Sequence, residues 1–144
     1  MLSEKLKNHL KARGWWFDDE SQEYELELLK LGIPKHTDFG EFYLHAEDGP
    51  SFLSGGKEIH HICWFSRNTN FSLALQHAEA LLGTTDEYIP LDSFEAESGY
   101  FYNKRTEEVF EITLGANLAD FHNGNLKARW ESFNSFLEDY FGIK

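Results

Sequence analysis

Near residue 86 the spacing of apolar side chains changes from every third or fourth residue to every second, and that change sets the fold class. Before it, Leu2, Leu6 and Leu10 line one side of a helix, with Lys5, Lys7, Lys11 and Arg13 around the remainder and Gly14 as a stop. Tyr24, Leu28 and Leu31 recur at i, i+4 and i+7, between an Asp19-to-Gln22 capping box and the Gly32 and Pro34 that end the helix. Thr37 predicts the cap of a third helix with Phe39, Phe42 and Tyr43 on one face, closed by Asp48-Gly49-Pro50, and residues 49–56 read as loop. The run from Glu58 to Phe65 is β-prone and reads as one strand. Asn70 predicts the cap of a helix built on Phe71, Leu75, Ala78 and Leu82 and ended by Gly83.

Beyond residue 86, Tyr88-Ile89-Pro90-Leu91 reads as a strand near a sheet edge, because Pro90 has no ladder donor. Tyr100-Phe101-Tyr102 and Val109 to Leu114 flank the polar stretch Asn103 to Glu107 in the pattern of a hairpin. Phe110, Ile112 and Leu114 alternate with Glu111 and Thr113, which assigns one side to a core and the other to water. After a polar bend from Asn117 to Asn125, Trp130, Phe133, Leu137 and Tyr140 predict a closing helix. The expectation is a single α+β domain over residues 1–144, an antiparallel sheet covered by N-terminal helices, a middle helix and a C-terminal helix.

Thirteen basic residues against 25 acidic ones give a net charge of −12, which disfavours nucleic acid; it would attract a basic protein partner, but ordinary solubility explains it as well, and acidity alone does not choose. The four basic residues of the first helix and the six acids between residues 18 and 30 would attract each other. Cys63 is the one cysteine, which excludes an internal disulfide and fits a reducing, cytoplasmic setting. No apolar run reaches the roughly 20 residues needed to cross a bilayer, and the first residues lack the apolar centre of a signal peptide.

Candidate chemistry is sparse. On a strand, His61 and Cys63 would share a face while His60 points away, and two ligands do not hold a metal ion. His9, His36, His45, His77 and His122 offer no third ligand at a recognisable spacing. Ile62, Trp64 and Phe65 surround Cys63 with apolar groups that favour the neutral thiol. Gly55-Gly56-Lys57 lacks the spaced glycine and following hydroxyl of a phosphate loop, no serine sits in a nucleophile elbow, and Asp38 to Asp48 lacks the ligand pattern of a calcium loop. The carboxylate pairs read as solvated surface. No catalytic residue, cofactor or metal is expected. Trp15-Trp16-Phe17 anchors the first helix or, where exposed, offers Trp16 to a protein partner. From Asp86 to Glu111 eight acids face Lys104 and Arg105, and Asp86, Glu87, Asp92, Glu95, Glu97 and Glu107 are the candidates for an electrostatic contact face.

Several segments, taken in order, resemble the SUKH superfamily, the Smi/Knr-type domain. Glu25-Leu26-Glu27-Leu28-Leu29-Lys30-Leu31-Gly32-Ile33-Pro34 is similar to the family's helix and the turn that follows it. Asp38-Phe39-Gly40-Glu41-Phe42-Tyr43 is similar to its aromatic helix, and Asp48-Gly49-Pro50 to its small-residue loop. Tyr88-Ile89-Pro90-Leu91, Tyr100-Phe101-Tyr102-Asn103 and Glu108-Val109-Phe110 resemble the strand and central hairpin, and Trp130 to Leu137 the closing helix. The resemblance covers about residue 20 to the C-terminus and leaves the basic first helix without a counterpart. It implies an α+β binding domain that is not an enzyme. The commonest role proposed for such domains is immunity to a toxin, in some systems a nuclease, by direct protein contact. The alternative role is a regulatory adaptor, as in fungal control of cell-wall glucan synthesis. A metal-dependent enzyme working through His61 and Cys63 is the remaining reading.

Overall fold

Tyr100, Phe101 and Tyr102 are consecutive and all buried, so the strand that carries them needs apolar neighbours on both faces. The computed structural model describes residues 1–144 and supplies them from seven helices and two small antiparallel sheets, an α+β architecture. The chain runs through α1 (Glu4–Ala12), α2 (Gln22–Leu31), α3 (Asp38–His45), β1 (Ser51–Ser54), β2 (Lys57–His60), α4 (Ile62–Asn68) and α5 (Phe71–Leu82). It continues through β3 (Tyr88–Pro90), β4 (Ser98–Asn103), β5 (Val109–Thr113), α6 (Ala116–His122) and α7 (Phe133–Tyr140). One sheet is the β1–β2 hairpin and the other has the order β3-β4-β5.

The three-stranded sheet divides the interior in two. On one face Tyr102 stacks on Phe39 of α3 at 4.5 Å between ring centroids, and Tyr100 meets Phe136 of α7 at 5.1 Å. Leu6 and Leu10 of α1, fully buried, close this larger core, so the first helix is part of it. On the other face Phe101, Phe110 and Ile112 pack with Ala78 and Leu82 of α5 and with Leu118 and Phe121 of α6. The alternation in β5 holds: Phe110 and Ile112 are buried while Glu111 is half-buried and Thr113 exposed, and only Leu114, past the end of the strand, is 42% exposed instead of joining the core. Most of the expected polar bend from Asn117 to Asn125 is instead helical, as α6, and Leu118 and Phe121 on it cover the Phe110 and Ile112 face of β5.

Other expectations hold locally. Thr37 Oγ1 accepts the Gly40 N–H at 3.0 Å as the cap of α3, and α2 and α5 end at left-handed Gly32 and Gly83. The cap of α2 is Ser21, whose Oγ accepts the Tyr24 N–H at 3.2 Å, in place of Asp19. Asn70 stands at the cap of α5 without a capping bond; its Oδ1 accepts from Ser72 Oγ instead. Trp130 lies outside α7, held to Val109 by a backbone bridge. Pro90 is on an edge strand, as its missing donor requires. The basic side of α1 turns away from the acids of residues 18–30. Lys7 pairs with Glu41 and Lys5 with Glu138, both at 3.6 Å, while Glu25 and Glu23 pair with Lys35 and Arg67.

The largest departure lies at residues 49–65. Gly55 and Gly56, with φ of 56° and 78°, form the two-residue turn of a hairpin pairing Ser51–Ser54 with Lys57–His60. The expected loop is thus half strand. The expected strand from Glu58 to Phe65 breaks at His61, which caps α4: its Nδ1 accepts the Trp64 N–H at 3.2 Å, so Nε2 carries the proton given to the Ala46 carbonyl at 3.0 Å. These two bonds override the β propensity of Ile62 to Phe65.

Burial pushes the His61 imidazole down to about 4 from its ordinary 6.5, so the folded state binds fewer protons than the unfolded one in that window. This contribution is complete above pH 6.5 and is lost as pH falls toward 4, on the order of 3 kcal/mol in full. His61→Gln should lower stability near neutral pH and show a smaller further loss on acidification, measured by urea unfolding across that window.

Candidate functional site

The β1–β2 hairpin and the β3–β4 connection face each other across a concavity, and each owes its position to the sheet. Strand neighbours alternate, so Phe52 and Ile59 enter the core while Leu53, Glu58 and His60 leave by the opposite face. The His60 N–H donates to the Leu91 carbonyl at 2.8 Å, which docks the end of β2 against the end of β3. Tyr43 Oη donates to the His60 carbonyl at 3.0 Å from the core side. From Leu91 the chain reverses into β4 through Asp92–Glu97, where Phe94, Ala96 and Glu97 hold φ of 54°, 54° and 62°. Three left-handed residues without glycine cost on the order of 1–3 kcal/mol each, so the surroundings hold this turn in place. It presses onto Gly99, where a Cβ would come within 2.7 Å of Asp92 Oδ1 and 2.8 Å of Phe94 Cδ1.

The concavity measures about 430 Å³ and is lined by Glu58, His60, Asp92, Glu95, Tyr100 and Glu111 among others. Asp92 Oδ1 accepts the Phe94 N–H at 3.2 Å, yet burial pushes its carboxyl up to about 6 against the hydrogen bonds that hold it lower. Lys57 lies over the Tyr100 ring, 5.5 Å from its centroid, and donates to the phenol oxygen at 2.8 Å. Glu111 is bridged from outside by Arg129. Glu58, Asp92 and Glu95 have no cationic partner, and the site keeps an excess of negative charge. Burial lowers the His60 pKa while Glu58 and Glu95 pull it up; His60 Nε2 is hydrogen-bonded to Ser93 Oγ at 3.1 Å.

The six acidic candidates do not share this site. Asp86, Glu87 and Glu107 sit at the far end of the sheet, around the β4–β5 turn, where Lys104 pairs with Asp86 and Arg105 lies 3.7 Å from Glu87. Asp92, Glu95 and Glu97 sit at the near end, separated from the first group by the length of β4, roughly 17 Å. Only Asp92 and Glu95 line the concavity. Trp16 is elsewhere again. It stacks on His45 at 4.7 Å and 9°, half-buried, in a second hollow of about 560 Å³ with Asp18, Asp19 and Glu47. Its neighbour Trp15 does anchor on the core, against Phe52 and Phe141, and Phe17 is 53% exposed. Glu58, His60, Ser93 and Glu111 escaped sequence reasoning. The one signal for the first two was Gly55-Gly56, which as a hairpin turn puts Glu58 and His60 on one strand face.

The arrangement suits the binding of a cation better than the making or breaking of a bond. Both nitrogens of His61 are engaged with the backbone, and burial pushes the Cys63 thiol well above its usual range, away from the thiolate. No three His, Cys, Asp or Glu side chains are grouped so as to hold a metal ion. The Ser93–His60 pair has the contact of a nucleophile and base, but His60 Nδ1 meets no carboxylate that would orient it. No family model matches the chain, and no curated protein matches it.

Asp92 titrates in the opposite sense to His61. Its folded pKa of about 6 lies above the ordinary 3.8, so the folded state holds a proton the unfolded state gives up, and stability falls as pH rises through that interval. Asp92→Asn keeps the acceptor for the Phe94 N–H and should gain on the order of 2 kcal/mol above pH 6, a gain that fades near pH 4. Urea unfolding of the variant beside the parent protein across that interval checks it.

Proposed function

We propose that this chain is a protein-binding domain that meets a basic partner through the acidic concavity, and that it serves as an immunity protein, neutralising a toxin domain by direct contact in the cytoplasm. The observation that carries the reading is the group of Glu58, Asp92 and Glu95, held around one hollow without cationic partners while most cations elsewhere are paired. A site prepared this way attracts positive charge, and a net charge of −12 extends that attraction beyond contact distance. The residue pattern from Glu25 to Leu137 that resembles the SUKH superfamily supports the same reading. Leu53, 67% exposed at the lip, adds apolar surface beside the carboxylates.

The decisive assay captures partners from the native host with this protein as bait at moderate salt, then assays the captured polypeptide with and without added protein. The reading expects one basic, toxin-like polypeptide whose activity is lost at one equivalent. Glu58→Lys with Glu95→Lys should slow association by about tenfold and flatten its dependence on salt. Capture of a kinase or an envelope-synthesis component would favour a regulatory adaptor instead. Inhibition unchanged by both charge reversals would remove the concavity from the contact.

A further inference from the structure

Attraction to a basic surface leaves one feature of the concavity unexplained. His60 lines it, nine-tenths buried, and its Nδ1 is buried without a hydrogen-bond partner while Nε2 is held by Ser93. Buried ring nitrogens are ordinarily satisfied. Strand alternation turns this ring to the same side as Glu58, toward the hollow and away from the core that Phe52 and Ile59 enter. Phe65 stacks on one face of the ring at 4.0 Å.

We propose that the hollow is an arginine pocket: the guanidinium of one arginine of the protein partner enters it and donates to His60 Nδ1 and to the carboxylates of Glu58 and Glu95. The inference rests on the reading of the chain as a protein-binding domain. The pocket requires the tautomer in which Nε2 carries the proton and gives it to Ser93 Oγ, which leaves Nδ1 an acceptor; the opposite tautomer would place a donor there and overturn the proposal. A guanidinium is planar, carries five N–H donors in a fixed fork, and is less strongly hydrated than an ammonium, so it can serve a ring nitrogen and two carboxylates together. The resident cations do not fill this role. Lys57 donates to the Tyr100 phenol and Arg129 is engaged with Glu111 and, at 3.9 Å, Asp139. The arginine's aliphatic stem would run past Leu53 at the lip.

The test is nuclear magnetic resonance of the isotopically labelled full chain, titrated with N-acetyl-arginine amide, with its uncharged isostere N-acetyl-citrulline amide, and with N-acetyl-lysine amide. The arginine probe should shift the His60 ring signals and the amides of Ser93 to Glu97, and the citrulline probe should not. Glu58→Gln with Glu95→Gln, both on exposed residues, should weaken the arginine effect about tenfold with the spectrum otherwise intact. His60→Gln should weaken it as well. No shift at His60, equal shifts from citrulline or lysine, or undiminished binding by the double variant would each overturn the proposal. Toxin capture and inhibition that persist with no arginine response would discard the pocket and keep the binding-domain reading; loss of both would discard the two together.

Discussion

A strand with three consecutive buried aromatics cannot lie on a surface, and β4 obliges the chain to build a layer on each side of it. Tyr100 and Tyr102 face the larger core made by α1, α2, α3 and α7, while Phe101 faces the smaller one closed by α5 and α6. Both layers depend on that alternation. A slip of one residue in the pairing of β4 with β5 would send Phe101 toward Phe39 and Tyr102 toward Phe121 and break both cores together. The helices on each side are amphipathic pieces of modest length whose stability comes from that packing rather than from their own propensity.

The concavity follows from the same constraint. With β4 fixed, the short β3 must return into it through Asp92–Glu97, and the lack of a side chain at Gly99 lets that turn lie against the strand. The β1–β2 hairpin is docked onto the end of β3 by the His60–Leu91 bond and tied to the core by Tyr43 and by Tyr140, whose hydroxyl donates to the Phe52 carbonyl at 2.6 Å. Two backbone segments held this firmly place Glu58 and His60 opposite Asp92 and Glu95. Preorganisation of this kind would favour the binding of a cationic group, because the cost of gathering like charges is met during folding and not during binding.

Where local chemistry decides, the sequence was legible. Thr37, Gly32, Gly83 and Pro90 do what their own side chains or backbones dictate, and the arms of the central hairpin follow from the period of two. Where tertiary structure decides, it was not. Ile62 to Phe65 is β-prone and becomes helical because His61 finds Ala46, a contact 15 residues distant that no local pattern carries. The acids between Asp86 and Glu111 look like one cluster in the chain, yet β4 separates them into two groups, one of them already engaged by Lys104 and Arg105. The site itself joins residues from two parts of the fold: Asp92 and Glu95 stood among the acidic candidates, whereas only the Gly55-Gly56 turn signalled Glu58 and His60 opposite them.

The face between the two sheets is proposed as the place where a partner binds. Hydrogen exchange of the backbone amides, free and in complex with the captured partner, tests it most directly. Binding at this face would slow exchange at Lys57–His60 and across Asp92–Gly99 and leave Trp16–Asp19 unchanged. Slowed exchange at Trp16–Asp19 or along α2, with the concavity unaffected, would contradict it.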